Sequence, residues 1–405
     1  MSKKRIGPIS ATLLIAALVL SLAGEAFAGV PDNNQNAVSR KIVVFHNWIN
    51  EAAYDEILEH TKAVKIKHLP LINAAVVLAG PASEKALRQR VEVLRVDTDA
   101  VVYTQAKPQL APPRAEMLPW GVDRIDADLV WDKDRNLKLD SGANAGGGVK
   151  VAVLDTGIDL DHPDLQANIR DGINTISPLK TADDDNGHGT HVAGIIAAVD
   201  NSVGVIGTAP KASLYAVKVL NKQGSGFLSD IIEGLQWSVS NGMKVVNMSF
   251  GTSTNVESFH DAIIAAHNNG IVLVAAAGNS GPGDNTVLYP AKYQEVIAVS
   301  ATDNSNMIAG WSSRGSEVEL AAPGVDINST YKGGGYRVLS GTSMASPHVA
   351  GTAALVIASG ITKSNKVREK LQTTADDLGI DGRDNLYGYG LVDAEQAATG
   401  GETTP

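Results

Sequence analysis

Apolar positions along the chain fall into three regimes, and each predicts different elements. Residues 9–23 form a single apolar run. Between 39 and 104 the runs are short. Residues 41–45 and 74–78 read as strands, 51–62 and about 83–89 carry a helical repeat, and 91–96 alternates as a half-buried strand does. That stretch predicts a small α/β domain. From 104 to 114 the periodicity disappears, and Pro108, Pro112 and Pro113 predict an extended, accessible linker. Beyond residue 149, aliphatic or β-branched runs at 149–154, 214–220, 245–249, 271–276 and 296–300 are separated by helical stretches such as 188–198, 228–241 and 258–269. Strand and helix in turn predict an α/β fold, a mainly parallel sheet with helices on both faces. No internal repeat is visible.

The leading run changes the picture of where the protein works. Lys3, Lys4 and Arg5 precede it, and Ala26 and Ala28 supply small residues before a cleavage point, the layout of a secretory signal peptide cut after Ala28. The run is short for a membrane span, and no later stretch of about 18 apolar residues follows. A secreted, extracellular protein is expected, with no membrane contact after cleavage. A formal charge of −10 gives no reason to expect nucleic acid as a partner. The absence of cysteine excludes disulfides, thiolate metal sites and a cysteine nucleophile. The expected organisation is a leader at 1–28, a second segment at 29–114, a main domain at 115–399 and a tail at 400–405, in a monomer.

Three segments carry candidate chemistry. Val151-Ala152-Val153-Leu154-Asp155-Thr156-Gly157 puts a carboxylate at the carboxyl end of a buried strand, where open α/β sheets form their sites. Asn186-Gly187-His188-Gly189-Thr190-His191 sets His188 between glycines at a helix start, with open space for a general base. His188 and His191 alone do not complete a zinc site, and a structural role for His191 is expected. Gly341-Thr342-Ser343-Met344-Ala345-Ser346-Pro347 begins a small-residue helix whose first N–H groups face any oxyanion formed beside Ser343. Each segment alone has a bland reading, as a turn, a core histidine or a helix cap.

Together, in the order Asp, His, Ser, these segments closely resemble the signatures of the subtilisin family, and the resemblance covers about residues 117–398. It implies a subtilisin-like fold and a serine endopeptidase with Asp155, His188 and Ser343 as catalytic triad. Ala275-Ala276-Ala277-Gly278-Asn279-Ser280-Gly281 resembles the segment whose asparagine donates to the oxyanion, which assigns Asn279 that role. In this family such a donor is worth about 10²–10³ in rate.

Gly224-Ser225-Gly226 and Ser249-Phe250-Gly251 resemble the two edges between which the family binds extended peptide substrates. Ala276 and Leu288 are implied to line the pocket for the residue before the cut. Leu288 falls where some members carry glycine, so the largest aromatic side chains are expected to be disfavoured. Residues 39–104 resemble the family's propeptide, an intramolecular inhibitor and folding aid that the enzyme removes itself; the mature chain is implied to begin between Thr104 and Glu116. The linker is longer than usual for the family. Calcium is the implied cofactor, held by Glu116, Asp164 and the loop residues Val199, Asn201, Val203 and Val205, which offer the oxygens calcium prefers.

Two further acidic clusters, Asp183-Asp184-Asp185 and Asp132-Lys133-Asp134-Arg135-Asn136, fit no complete calcium loop and read first as solvated turns. An α/β-hydrolase esterase is disfavoured, because Gly341-Thr342-Ser343-Met344-Ala345 lacks the second glycine of that motif and the serine comes last in the chain. A catalytically dead scaffold is disfavoured by the four catalytic positions, all occupied by the expected residues.

Overall fold

The computed structural model describes residues 37–109 and 116–400, so the expected leader and the tail beyond Gly400 lie outside the described residues. The first element group is a four-stranded antiparallel sheet of order β2-β3-β1-β4, built from β1 (Ser39–Phe45), β2 (Val64–Leu69), β3 (Ala74–Ala79) and β4 (Val93–Thr98). Helices α1 (Glu51–His60) and α2 (Pro81–Arg88) cover one face. Asn50 caps α1 by accepting from Ala53 N at 3.2 Å, and Pro81 opens α2, where its missing N–H costs nothing. Strands β1 and β3 are apolar at every inner position because both faces are covered. Val43, Phe45, Ala75 and Val77 meet Tyr54, Ile57, Leu58 and Leu87 on the helical side. Ile42, Val44, Ala74 and Val76 turn the other way, into a core shared with the main domain.

Two short strands follow, and the second lies in the stretch that the sequence reads as an extended, accessible linker: it is extended as expected, but paired. Strand β5 (Val101–Thr104) and strand β6 (Lys107–Gln109) each pair with the main domain. Nothing in their composition signals this, because the hydrogen-bond partners lie more than a hundred residues away. Strand β2 also escaped the sequence reading, since Lys65, Lys67 and His68 interrupt its apolar positions.

The main domain opens with α3 (Trp120–Arg124) and α4 (Asp128–Trp131). Its sheet uses β7 (Lys150–Asp155), β8 (Ile169–Asn174), β9 (Ser213–Lys218), β11 (Val245–Met248), β13 (Val272–Ala276), β14 (Val296–Thr302) and β15 (Val318–Pro323), in the order β15-β14-β13-β11-β7-β9-β8 with every pair parallel. Between them run α5 (His188–Ala197), α6 (Leu228–Ser240) and α7 (Glu257–Asn268). Helix α8 (Thr342–Ala358) is buried along nearly its whole length, which explains its lack of a polar face. Along β7 the alternation is direct: Val151 and Val153 enter one core, Ala152 and Leu154 the other. The subtilisin-like expectation of a mainly parallel sheet between two helical layers is met.

Short strands complete the fold. They are β10 (Ser225–Phe227), β12 (Phe250–Gly251), β16 (Ile327–Tyr331) and β17 (Gly335–Ser340), and the chain closes with helices α9 (Ser364–Thr373) and α10 (Ala394–Thr399). Chain order reverses around β7, which lies between β9 and β11, and a crevice therefore opens at its carboxyl end. Among the described residues no helix is long and apolar enough to cross a membrane.

Candidate active site

Asp155 is the last residue of β7 and is fully buried. Its Oδ1 lies 2.7 Å from His188 Nδ1 and also accepts from Thr156 N at 2.7 Å. His188 is the first residue of α5, and its Nε2 is buried without a partner among the described residues. The glycines beside it serve a tighter purpose than clearing space around the ring. A Cβ at Gly189 would sit 2.1 Å from the Gly157 carbonyl oxygen, so only glycine lets the helix start press onto the strand end. Gly187 has φ +111°, and a Cβ there would meet the Tyr331 ring at 2.2 Å.

A residue read from sequence as part of a solvated acidic turn braces this loop. Asp184 is buried. Its Oδ1 accepts from Thr156 Oγ1 and from the N–H groups of Asn186 and Gly187, and its Oδ2 from Thr190 N and Oγ1. Five donors to one carboxylate fix the loop that delivers His188. His191, three residues on, lies within hydrogen-bond distance of the carbonyls of Ile327 and Arg337 through Nε2. Burial pushes its imidazole down to about 3, so it is a neutral structural group.

Ser343 lies in the first turn of α8. Its hydroxyl donates to the Ser249 carbonyl at 2.8 Å and accepts from Gln105 N at 3.1 Å. Its backbone N–H donates to the Gln105 carbonyl oxygen at 3.3 Å. Gly341 makes room for this approach, since a Cβ there would fall 2.2 Å from that oxygen. Asn279 Oδ1 accepts from both N and Oγ1 of Thr342 at 3.0 Å, which fixes the amide plane and leaves Nδ2 as its free end. The structure therefore brings Asp155, His188, Ser343 and Asn279 to the carboxyl ends of the central strands. The Ser343 hydroxyl is bonded to the Ser249 carbonyl, and among the described residues no hydrogen bond joins it to His188 Nε2.

Strand β5 runs through the crevice, antiparallel to β10 on one side and β12 on the other. Tyr103 pairs with Ser225 and Gly251, and Thr104 N donates to the Gly224 carbonyl at 2.9 Å. Gly224, Ser225, Gly226, Ser249, Phe250 and Gly251 thus frame one extended strand of the chain itself. Past Ser343, β6 continues along β17. Beside the crevice, Leu288 fills the space between two backbone walls: a Cβ at Gly251 would lie 2.9 Å from it and one at Gly278 2.8 Å. Ala276 is buried behind them.

The domain of residues 39–104 is clamped to the body by charge. Asp99 accepts from Ser229 N at 2.9 Å, and Asp97 from Ser258 N at 3.0 Å, at the starts of α6 and α7. Neither helix has a capping side chain at its own N-cap, Phe227 or Val256. Lys67 Nζ reaches Asp230 at 2.7 Å and Glu233 at 2.6 Å, and Arg95 pairs with Asp261. These residues were not singled out from sequence, because a cap donated across a domain interface leaves no local pattern.

The expected cation ligands also converge. Asn201 N donates to Glu116 Oε1 at 2.7 Å, and Asp164 accepts from Asn201 Nδ2 at 2.9 Å, Val205 N at 3.0 Å and Tyr336 OH at 3.0 Å. Burial, then the charges of Asp200 and Asp164, raise the Glu116 carboxyl above its ordinary range; burial raises Asp164 too. Two crowded carboxylates beside the loop of Val199, Asn201, Val203 and Val205 make an oxygen-rich, anionic donor set that fits a hard divalent cation. Asp132, Asp134 and Asp140 also offer oxygens within 4.8 Å of one another. Asp132 spends its carboxylate on the N–H groups of Asn136 and Leu137, as a turn-forming residue does.

Comparison with known proteins agrees with this geometry. The description of the subtilase family matches residues 146–390. The chain is 41% identical over 407 residues to an alkaline protease of Alkalihalobacillus alcalophilus, spanning 98% of this chain and 99% of that protein. It is 48% identical over 284 residues to Subtilisin Savinase of Lederbergia lenta, 70% of this chain and 99% of that protein. With Subtilisin E of Bacillus subtilis it shares 43% identity over 336 residues, 82% of each. A family match across most of the body, joined to similarity running nearly end to end with a relative, establishes that the chain belongs to the subtilase family of serine endopeptidases.

Proposed function

We propose that the chain is exported behind residues 1–28, folds with residues 39–105 as an inhibitor across its own cleft, and cuts the bond between Gln105 and Ala106. The released monomer, with calcium bound, then hydrolyses proteins with broad specificity. One observation carries this reading: the Ser343 N–H donates to the Gln105 carbonyl oxygen while the residues just before it are paired as a strand between the two cleft edges. Pairing of this kind reads backbone more than side chains, which supports broad specificity.

The chemistry follows from the side chains at that carbonyl. The Ser343 hydroxyl turns from Ser249 to His188 Nε2, gives up its proton there and attacks the Gln105 carbonyl carbon. Asp155 holds the opposite ring nitrogen and stabilises the imidazolium. The oxyanion takes the Ser343 N–H and the Asn279 amide, already oriented by Thr342. As the C–N bond breaks, His188 returns the proton to the Ala106 nitrogen. Water, deprotonated by His188, then releases Gln105 from Ser343 and restores the hydroxyl.

Expressed from residue 29 with calcium present, the wild type is expected to separate into a chain ending at Gln105 and one beginning Ala106-Lys107-Pro108, read by intact mass and amino-terminal sequencing. Ser343→Ala is expected to stay whole. Cutting at another bond, or cutting that persists in Ser343→Ala, overturns the assignment. If both stay whole, and the wild type digests no casein after another protease removes the inhibitor, the claim of activity is lost.

A further inference from the structure

Two ends of one covalent segment are engaged at the same time. At one end Gln105 lies against Ser343, its carbonyl oxygen accepting the Ser343 N–H. At the other, Glu116 Oε1 accepts from Asn201 N at 2.7 Å, Met117 N donates to the Gly204 carbonyl at 3.0 Å, and Ile206 N donates to the Met117 carbonyl at 3.3 Å. Glu116 and Met117 therefore lie on the loop of Val199, Asn201, Val203 and Val205 while the bond after Gln105 is intact. Ten residues, 106–115, join the two ends. Both anchors are held while those ten residues join them.

We propose that the cation site is complete in the uncut chain, so that calcium binding precedes cleavage of the Gln105–Ala106 bond and does not wait for it. The inference rests on the reading that this bond is the one cut. Its physical basis is the donor set. Glu116 is the only member of that set that comes from the amino-terminal side of the main domain. With Glu116 already beside Asp164 and Asn201, cleavage changes none of the oxygens offered to the ion. Calcium bound at this stage stabilises the folded precursor by mass action, since the unfolded chain has no such site. The catalytic body then enters its first turnover already loaded.

The test is calorimetric titration of calcium into chelator-stripped protein, using the full chain from residue 29. Ser343→Ala provides the uncut form, and wild type that has cut itself and been sulfonylated at the serine provides the cut form. The uncut protein is expected to bind as many calcium ions as the cut protein, with dissociation constants within about threefold. In the Ser343→Ala background, Glu116→Ala is expected to weaken calcium binding by at least about tenfold, through loss of a ligand charge. Glu116→Gln, which keeps an oxygen and the chain geometry, serves if the alanine variant does not fold. One ion fewer in the uncut protein, or an uncut affinity indifferent to both Glu116 substitutions, overturns the proposal. Should the wild type never cut itself, the reading of function fails, while the Glu116 titrations in Ser343→Ala still decide whether the uncut chain owns the site.

Discussion

At the scale of single residues, Leu288 lies between the backbones of Gly251 and Gly278. On the proposed reading of this cleft as the substrate site, its bulk would limit the side chain accepted before the cut. Leu288→Gly is expected to raise kcat/KM for tyrosine or phenylalanine before the cut, relative to alanine, by about tenfold or more. Peptide profiling of parent and variant checks this, and a parent that already prefers tryptophan or tyrosine would sink it. The candidate triad was legible in sequence only as a set: a buried strand ending in Asp155, glycines around His188 and small residues after Ser343 each have a bland reading alone, and their order carries the resemblance. Asp184 and Gln105 were not legible. Asp184 works through five hydrogen bonds inside a loop that reads only as acidic. Gln105 matters for where the fold carries it.

At the scale of elements, the amino-terminal domain is held by what it lends to its host. Helices α6 and α7 begin without capping side chains of their own and receive carboxylates from Asp99 and Asp97. A carboxylate cap is worth about 1 kcal/mol, so replacing both by alanine removes about 2 kcal/mol. On the proposed reading of this domain as an inhibitor, that corresponds to binding weaker by roughly 30-fold. Inhibition of the mature enzyme by added residues 39–105, wild type against Asp97→Ala/Asp99→Ala, measures the change. An unchanged inhibition constant would show that the apolar face of Ile42, Val44, Ala74 and Val76 carries the docking alone. Five of the seven strands of the main sheet were visible as continuous apolar runs, because both faces are covered. The two edge strands were not, β8 because Arg170 and Asp171 interrupt it and β15 because Glu319 does. Strands β5 and β6 were invisible, since their pairing is long-range and proline-containing segments read as loops.

At the scale of the whole molecule, two buried histidines and two buried carboxyls set opposing responses to pH. Burial lowers His191 to about 3 and His348 to about 4, so between these values and about 6.5 the unfolded chain binds more protons there. Their contribution to stability is full above about 6.5 and is lost as pH falls through that window. Burial raises Asp128 and Asp393 to about 6, so between roughly 4 and 6 the folded chain binds more protons at those two sites. Their contribution is full at low pH and is lost as pH rises toward 6. The two pairs nearly cancel between about pH 4 and 6. His191→Gln in the Ser343→Ala background is expected to expose the carboxyl side. Relative to its parent, its unfolding free energy should fall as pH rises, by up to about 1.4 kcal/mol per unit. Denaturant unfolding at several pH values tests this, and parallel pH profiles for parent and variant would refute it.

The strand of residues 101–105 lying in the crevice also constrains how such a protein can change. Under the proposed self-cleavage after Gln105, Val101-Val102-Tyr103-Thr104-Gln105 would pass the cleft before any other polypeptide, and the gene would encode a catalyst and its qualifying substrate together. Cleft variants that no longer accept this stretch would then be filtered out at birth, whatever they do to other substrates. A library of such variants screened for activity would sample only those compatible with five fixed residues. Varying residues 101–105 in step with the cleft opens the part of sequence space that the screen otherwise conceals.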